Sequence, residues 1–144
     1  MVDISAKPVT KRTASARALM TLGPTAMRAL LEDRSPKGND LETAKIAGIM
    51  AAKATPQIIP FCHPLELNKV NIAFEIDEKA FKITAVSEVV CLGRTGVEME
   101  AMTAAVVAAL TIYDMLKWAD KGMVISEVQL LTKTGGKSGD FQRA

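Results

Sequence analysis

Aromatic side chains are scarce in this chain, with one Trp, one Tyr and four Phe among 144 residues. Its core must therefore come from Ala, Val, Ile, Leu and eight Met, small and flexible groups that let elements approach closely. The same scarcity argues against an RNA-reading sheet, whose strands need stacking aromatics. A net charge of +2 is too small to supply the basic face of a nucleic-acid binder. The single histidine, His63, and the two cysteines, Cys62 and Cys91, offer no repeated spacing for a structural zinc site, so both cysteines are read as free thiols. Met1-Val2-Asp3-Ile4 is not the basic start of a secretion signal, and the longest apolar run is interrupted by Thr, Asp and Lys. These absences lead to the expectation of a cytoplasmic protein without nucleic-acid or membrane partners. Hydrophobic residues at 49% and charged residues at 24% fit one globular domain over residues 1–144.

Residues 1–11 read as a polar arm broken by Pro8. Residues 12–21 alternate Ala14, Ala16, Ala18 and Met20 as a strand does, yet their alanines favour helix. Pro24 suits the first turn of a short helix that ends before Pro36-Lys37-Gly38. Asn39 with Glu42 resembles a capping box, opening a helix to about Lys53 that Thr55-Pro56 and Pro60 are expected to stop. Pro60 and Pro64 stiffen the segment Phe61-Cys62-His63 between them. Alternation at Val70, Ile72, Phe74 and Ile76, then at Phe81, Ile83 and Ala85, predicts a hairpin. Val97–Trp118 is a long helix, apolar almost all round, and Met123–Leu131 reads as a last strand before a Gly-rich tail. The order predicts an α+β fold with a four-stranded antiparallel sheet and helices packed on one face.

On the long helix Glu100, Thr103, Thr111 and Asp114 fall within a stripe about 80° wide. A buried polar seam needs water, another subunit or a ligand as partner. Glu98 lies on the other side and need not share its task. Glu98 and Glu100 would also serve simply to offset the positive end of the helix dipole. Asp114, near the disfavoured C-terminal end, has Lys117 three residues on; a structural salt bridge and a proton-transferring pair fit these residues equally. Glu100 and Asp114 stand about 21 Å apart along the axis, so a site using both is long or is assembled from two chains. His63 has the one unperturbed pKa near neutrality, which leaves both a structural and a functional role open. Gly136-Lys137-Ser138 is not a phosphate loop, because Leu131 occupies the required glycine position and no helix can follow. What remains is a Gly-rich segment with Lys133 and Lys137 that can cover an anion or stay solvated.

The stretches Lys37-Gly38-Asn39, Ala44-Lys45-Ile46-Ala47-Gly48-Ile49 and Ile59-Pro60-Phe61-Cys62-His63-Pro64-Leu65 resemble those of cyclic pyranopterin monophosphate synthases. So do Thr95-Gly96-Val97-Glu98-Met99-Glu100-Ala101-Met102-Thr103-Ala104, Ala109-Leu110-Thr111-Ile112-Tyr113-Asp114-Met115 and Gly135-Gly136-Lys137-Ser138-Gly139-Asp140, in collinear order along almost the whole chain. The resemblance implies a ferredoxin-like subunit in a homo-hexamer, a trimer of dimers, with the active site at a dimer interface, and it makes residues 12–21 a strand. It implies conversion of 3′,8-cyclo-7,8-dihydroguanosine triphosphate to the cyclic pyranopterin monophosphate of molybdenum cofactor synthesis, with loss of pyrophosphate. Carried over residue by residue, it makes Asp114 and Lys117 the central acid–base pair and Lys37 a second proton-transferring or phosphate-binding lysine. Phe61, Cys62, His63, Glu98, Met99 and Glu100 become substrate-binding residues, with Lys133 and Arg12 contacting the triphosphate. It implies no metal ligands and no resident cofactor, with magnesium able to accompany the triphosphate. The alternative from another class is a non-enzymatic ferredoxin-like nucleotide sensor or scaffold, which would need the anion site but not Asp114 or Lys117.

Overall fold

The computed structural model describes residues 1–144. The chain runs β1 (Thr10–Thr21), α1 (Pro24–Leu31), α2 (Asp40–Ile58), β2 (Leu67–Asp77), β3 (Lys82–Gly93), α3 (Glu98–Leu116), β4 (Val124–Thr134) and β5 (Phe141–Gln142). The strands pair in the order β2-β3-β1-β4-β5, all antiparallel. Two interleaved crossovers, β1 to β2 through α1 and α2 and β3 to β4 through α3, make this the ferredoxin-like α+β arrangement. The expected sheet of four strands gains a fifth: two residues of β5 fold back so that Thr132 and Lys133 oppose Gln142 and Phe141.

Residues 12–21 form the strand. β1 pairs with β3 on one side and β4 on the other, and Arg12, Ala14, Ala16, Ala18 and Met20 are buried in strict alternation. The helix preference of alanine over an average residue, ~0.5 kcal/mol, is small against two full ladders and a buried face. The buried alanines of β1 meet those of α3, where Ala101, Ala104, Ala105, Ala108 and Ala109 are also buried, so helix and sheet pack closely. Gly48 serves the same end between α2 and α3: a Cβ there would collide with Ile72 and the Ala104 carbonyl. α3 is apolar and long enough to cross a membrane, but it packs on β1 and β3 as the core helix.

Two boundaries differ from expectation. α2 continues through Pro56 to Ile58, because a proline in the last turn forfeits only one helical donation; Ala51, a turn earlier, still accepts a 3.1 Å bond from the Thr55 hydroxyl. It stops where Ile59, ahead of Pro60, turns extended. At its start the Asn39 side chain accepts from the Glu42 amide at 2.9 Å, as the capping pattern required. β4 runs three residues beyond Leu131, so Lys133 stands on a strand and not in the tail.

Candidate functional site

Strand alternation places Arg12, Cys91 and Lys133 on the helix-facing side of one sheet end, where Arg12 opposes Cys91 and Ala14 opposes Lys133. α3 begins above this end with Val97, which offers no capping side chain, so its positive first turn faces the same volume. A cavity of about 190 Å³ opens there, lined by Phe61, Cys62, His63, Glu98, Met99 and Glu100 together with Leu65, Thr95 and Gly96. The stiff Pro60–Pro64 loop supplies one wall and the first turn of α3 the other.

Glu98 and Glu100 thus share one cavity, contrary to the helical-wheel expectation. Glu98 is the first residue of α3 and folds back over Gly96, where any Cβ would collide with its carboxylate; the wheel geometry does not govern a side chain at the helix end. Glu100 is 3% exposed, and burial pushes its carboxyl above the ordinary range, with Glu98 adding to the rise. Burial and the nearby Glu100 also raise the thiols of Cys62 and Cys91, which keeps both protonated and suits packing or binding over nucleophilic attack.

Lys133 connects this cavity to a larger one. Its ammonium lies 3.3 Å from Glu98 and donates to the Ser138 hydroxyl at 3.0 Å. Ser138 belongs to a cleft of about 870 Å³ whose lining also includes Lys7, Arg12 and Lys137. Arg12 is 7% exposed and donates to the carbonyls of Gly93 and Arg94, both at 3.4 Å, with no carboxylate in ion-pair range. Gly135 and Gly136 cross it with φ of 88° and 87°, and a Cβ on Gly136 would strike the guanidinium. The diglycine lets the backbone lie directly on a buried cation. The Gly-rich segment therefore lines a cationic cleft and is not simply solvated.

At the other end of α3, Asp114 accepts from Lys37 at 2.5 Å through one oxygen and from Lys117 at 2.6 Å through the other. The three residues come from the loop before α2 and the last turn of α3. Hydrogen bonds from Lys117 and then Lys37 hold the Asp114 carboxyl down at about 2, and its bond in turn raises Lys117. All three side chains are about half exposed. The polar seam between the two ends is uneven: Glu100 and Thr103 are buried, whereas Thr111, bonded to the Val107 carbonyl, and Asp114 reach the surface. Beside it Met99, Val106 and Leu110 form a helical stripe, with Leu110 56% exposed. The structure thus joins the carried-over residues into two groups, with Phe61, Cys62, His63, Glu98, Met99, Glu100, Lys133 and Arg12 at one end of α3 and Lys37, Asp114 and Lys117 at the other.

Sequence reasoning missed Lys7, which sits in the polar arm of residues 1–11, and Asp40. Asp40 is 2% exposed at the start of α2, where neither carboxylate oxygen makes a well-formed hydrogen bond, and burial raises its pKa against the opposing pull of the nearby Ser35 hydroxyl. An acid in a helix's first turn reads as a dipole partner, and nothing in its neighbours signals burial.

The MoaC family model matches residues 1–136. A cyclic pyranopterin monophosphate synthase of Parvibaculum lavamentivorans is 50% identical over 142 residues, covering 99% of this chain and 89% of that protein. Proteins of the same name from Staphylococcus carnosus and Staphylococcus aureus are 53% and 52% identical, again with 99% of this chain and 89% of theirs covered.

Proposed function

The chain belongs to the MoaC family, and on that premise we infer that it is a lyase of molybdenum cofactor biosynthesis with the activity its curated relatives are named for. It converts 3′,8-cyclo-7,8-dihydroguanosine 5′-triphosphate to cyclic pyranopterin monophosphate and releases pyrophosphate. The purine ring is opened and reclosed as a pterin, a sugar-derived hydroxyl attacks the innermost phosphorus, the bond to the next phosphate breaks, and pyrophosphate leaves with its electrons. Such chemistry calls for proton movement and neutralisation of anions, not electron transfer, so side chains can perform it without a redox cofactor. Magnesium, where it takes part, arrives on the triphosphate.

The observation that carries the site assignment is the juxtaposition of an acidic cavity and a cationic cleft joined by Lys133. The cavity of Glu98, Glu100, His63 and Cys62 suits a heterocycle whose nitrogens exchange protons, with Phe61 and Met99 against its faces. A carboxyl raised by burial, as in Glu100, can hold a proton at a pH where an exposed one cannot. Arg12 and Lys133 suit the phosphates. Lys37, Asp114 and Lys117 form the acid–base centre: one carboxylate held charged between two ammoniums keeps both lysines aimed, and its hydrogen bond raises the pKa of Lys117.

One chain cannot bring Asp114 to Glu100, because about 21 Å of α3 separates them. We place Lys37, Asp114 and Lys117 of one subunit against the cavity of a second, in dimers that assemble as a homo-hexamer. The stripe of exposed Met99 and Leu110 with half-buried Val106 beside the polar seam supports this, since a second chain seated there would cover apolar surface and close the seam together. A cytoplasmic setting agrees with two unpaired thiols.

The test is incubation of the purified protein with enzymatically prepared cyclic dihydro-GTP, with pyrophosphate and pterin product followed by mass spectrometry. Wild type should yield both products. Asp114→Asn should bind substrate and yield neither. Tight binding by wild type without either product would instead establish a nucleotide sensor.

A further inference from the structure

Asp40 is buried at a cost that its place at a helix start does not explain. It is 2% exposed in the first turn of α2, and neither carboxylate oxygen makes a well-formed hydrogen bond. The helix does not require this, because Glu42 meets the dipole from the surface of the same turn and the Asn39 side chain already caps it. A carboxyl withdrawn from water without a full set of partners destabilises a fold. The polar neighbour that acts on it is Ser35: burial raises the Asp40 pKa, the Ser35 hydroxyl opposes the rise, and Asp33 adds to it.

Ser35 joins the parts of the acid–base end. Its hydroxyl donates to the Met115 carbonyl in the last turn of α3 at 3.2 Å and accepts from the Lys37 amide at 3.4 Å. Its carbonyl accepts from the Gly38 amide at 3.3 Å, which closes the turn that carries Lys37. From that turn the Lys37 ammonium reaches the Asp114 carboxylate at 2.5 Å and the Asp114 carbonyl at 3.4 Å. Apart from Lys37 itself, the Ser35 hydroxyl makes the only hydrogen bond between this loop and α3. A serine side chain has several rotamers and a single proton, and a buried carboxyl against it selects among them.

We propose that Asp40 is a positioning residue for the acid–base centre: its carboxyl holds the Ser35 side chain on the Met115 carbonyl, and through that contact fixes the loop from which Lys37 reaches Asp114. The inference rests on the reading of Lys37 and Asp114 as reacting groups. At 2% exposure Asp40 itself touches no substrate. It restrains one of the two ammoniums on Asp114, while Lys117, three residues along the same helix, stays where α3 puts it. A lysine on a loosened loop meets Asp114 only part of the time, which slows the chemical step more than it weakens binding.

The experiment compares wild type, Asp40→Val, Asp40→Asn, Ser35→Ala and the double variant Asp40→Val/Ser35→Ala by steady-state kinetics and by carboxyl carbon NMR of Asp114. Asp40→Val, expected to fold at least as stably as wild type, should lose about tenfold in kcat with KM within about twofold. Ser35→Ala should lose as much, and the double variant no more than either. Asp40→Asn, which keeps a hydrogen-bonding group of the same shape, should recover most of the loss. In Asp40→Val the Asp114 carboxyl should titrate above its wild-type value of about 2, because the Lys37 bond loosens while the Lys117 bond remains. A wild-type kcat in Asp40→Val, losses that add in the double variant, no recovery in Asp40→Asn, or an Asp114 titration that does not move would each overturn the proposal. Wild type that turns nothing over, with Asp114 still shifted in Asp40→Val, would refute the synthase and keep Asp40 as the residue that positions Lys37.

Discussion

Glu100 should be a residue whose loss stabilises the fold while abolishing function. Its side chain is 97% buried, and burial is the first cause of its raised pKa. A raised folded-state value means that the charged form of Glu100 costs the native state more than it costs the unfolded one. The penalty is complete above the raised pKa and vanishes below the ordinary value of 4.5, where the carboxyl is protonated in both states. Glu100→Gln preserves the shape and removes the charge. A buried, incompletely paired polar group costs ~1–3 kcal/mol, and the neutral amide keeps part of that cost, so the net gain at pH 7 is ~1 kcal/mol. For a chain of this length that corresponds to a Tm higher by about 3 °C. Thermal denaturation of both proteins from pH 4 to pH 8 should show the variant more stable at the upper end and the two converging as pH falls toward 4.5. Turnover of Glu100→Gln should be lost at every pH. A variant less stable than wild type at pH 7, or a stability difference independent of pH, would refute the assignment of a buried charge kept for function.

Carboxyl carbon NMR should find Asp114 titrating near 2 in wild type and closer to the ordinary 3.8 in Lys37→Met, because two lysine hydrogen bonds set its value. The contribution of this cluster to stability is present above 3.8 and is lost only as pH falls through about 2; an unshifted Asp114 would refute the geometry. Asp40→Val should raise stability at pH 7 by ~1 kcal/mol, since the burial cost of its carboxylate outweighs both the nearby Ser35 hydroxyl and the dipole gain at the helix start. Chemical denaturation measures it, and a loss of stability would show that the Ser35 contact and the helix dipole outweigh the cost of burial. Gly136→Ala should raise KM more than it lowers kcat, because a side chain at φ 87° costs ~1–2 kcal/mol and its Cβ displaces Arg12 from the cleft. Unchanged KM would remove Arg12 from the phosphate site.

The ladder of strands and helices was legible from alternation and capping, as β2, β3 and the Asn39 cap show. Local propensity left residues 12–21 undecided, and only pairing on both sides by β3 and β4, which lie far along the chain, settles them. Pro56 misled because α2 carries it within its last turn, giving up one donation, and ends only two residues later, ahead of Pro60. The i, i+3 spacing of Asp114 and Lys117 announced their contact, whereas Lys37 joins them from 77 residues away and no periodicity links it to α3. Helical-wheel reasoning separated Glu98 from Glu100 because it assumes regular directions that a first-turn side chain folding over Gly96 does not obey. Lys7 was invisible for a different reason: its place depends on one Arg94 contact to a backbone carbonyl, which any residue at position 7 would supply.

The assembly of one site from two chains is tested most directly by mixing two inactive proteins. Asp114→Asn damages the acid–base end and Glu100→Gln the cavity end, and each homo-oligomer carries the lesion in every site. In a mixed dimer one site collects both lesions and the other collects neither. Random mixing by co-expression should therefore restore about a quarter of the wild-type sites, with turnover to match. Turnover that stays absent in oligomers shown by native mass spectrometry to contain both chains would contradict a site shared between subunits.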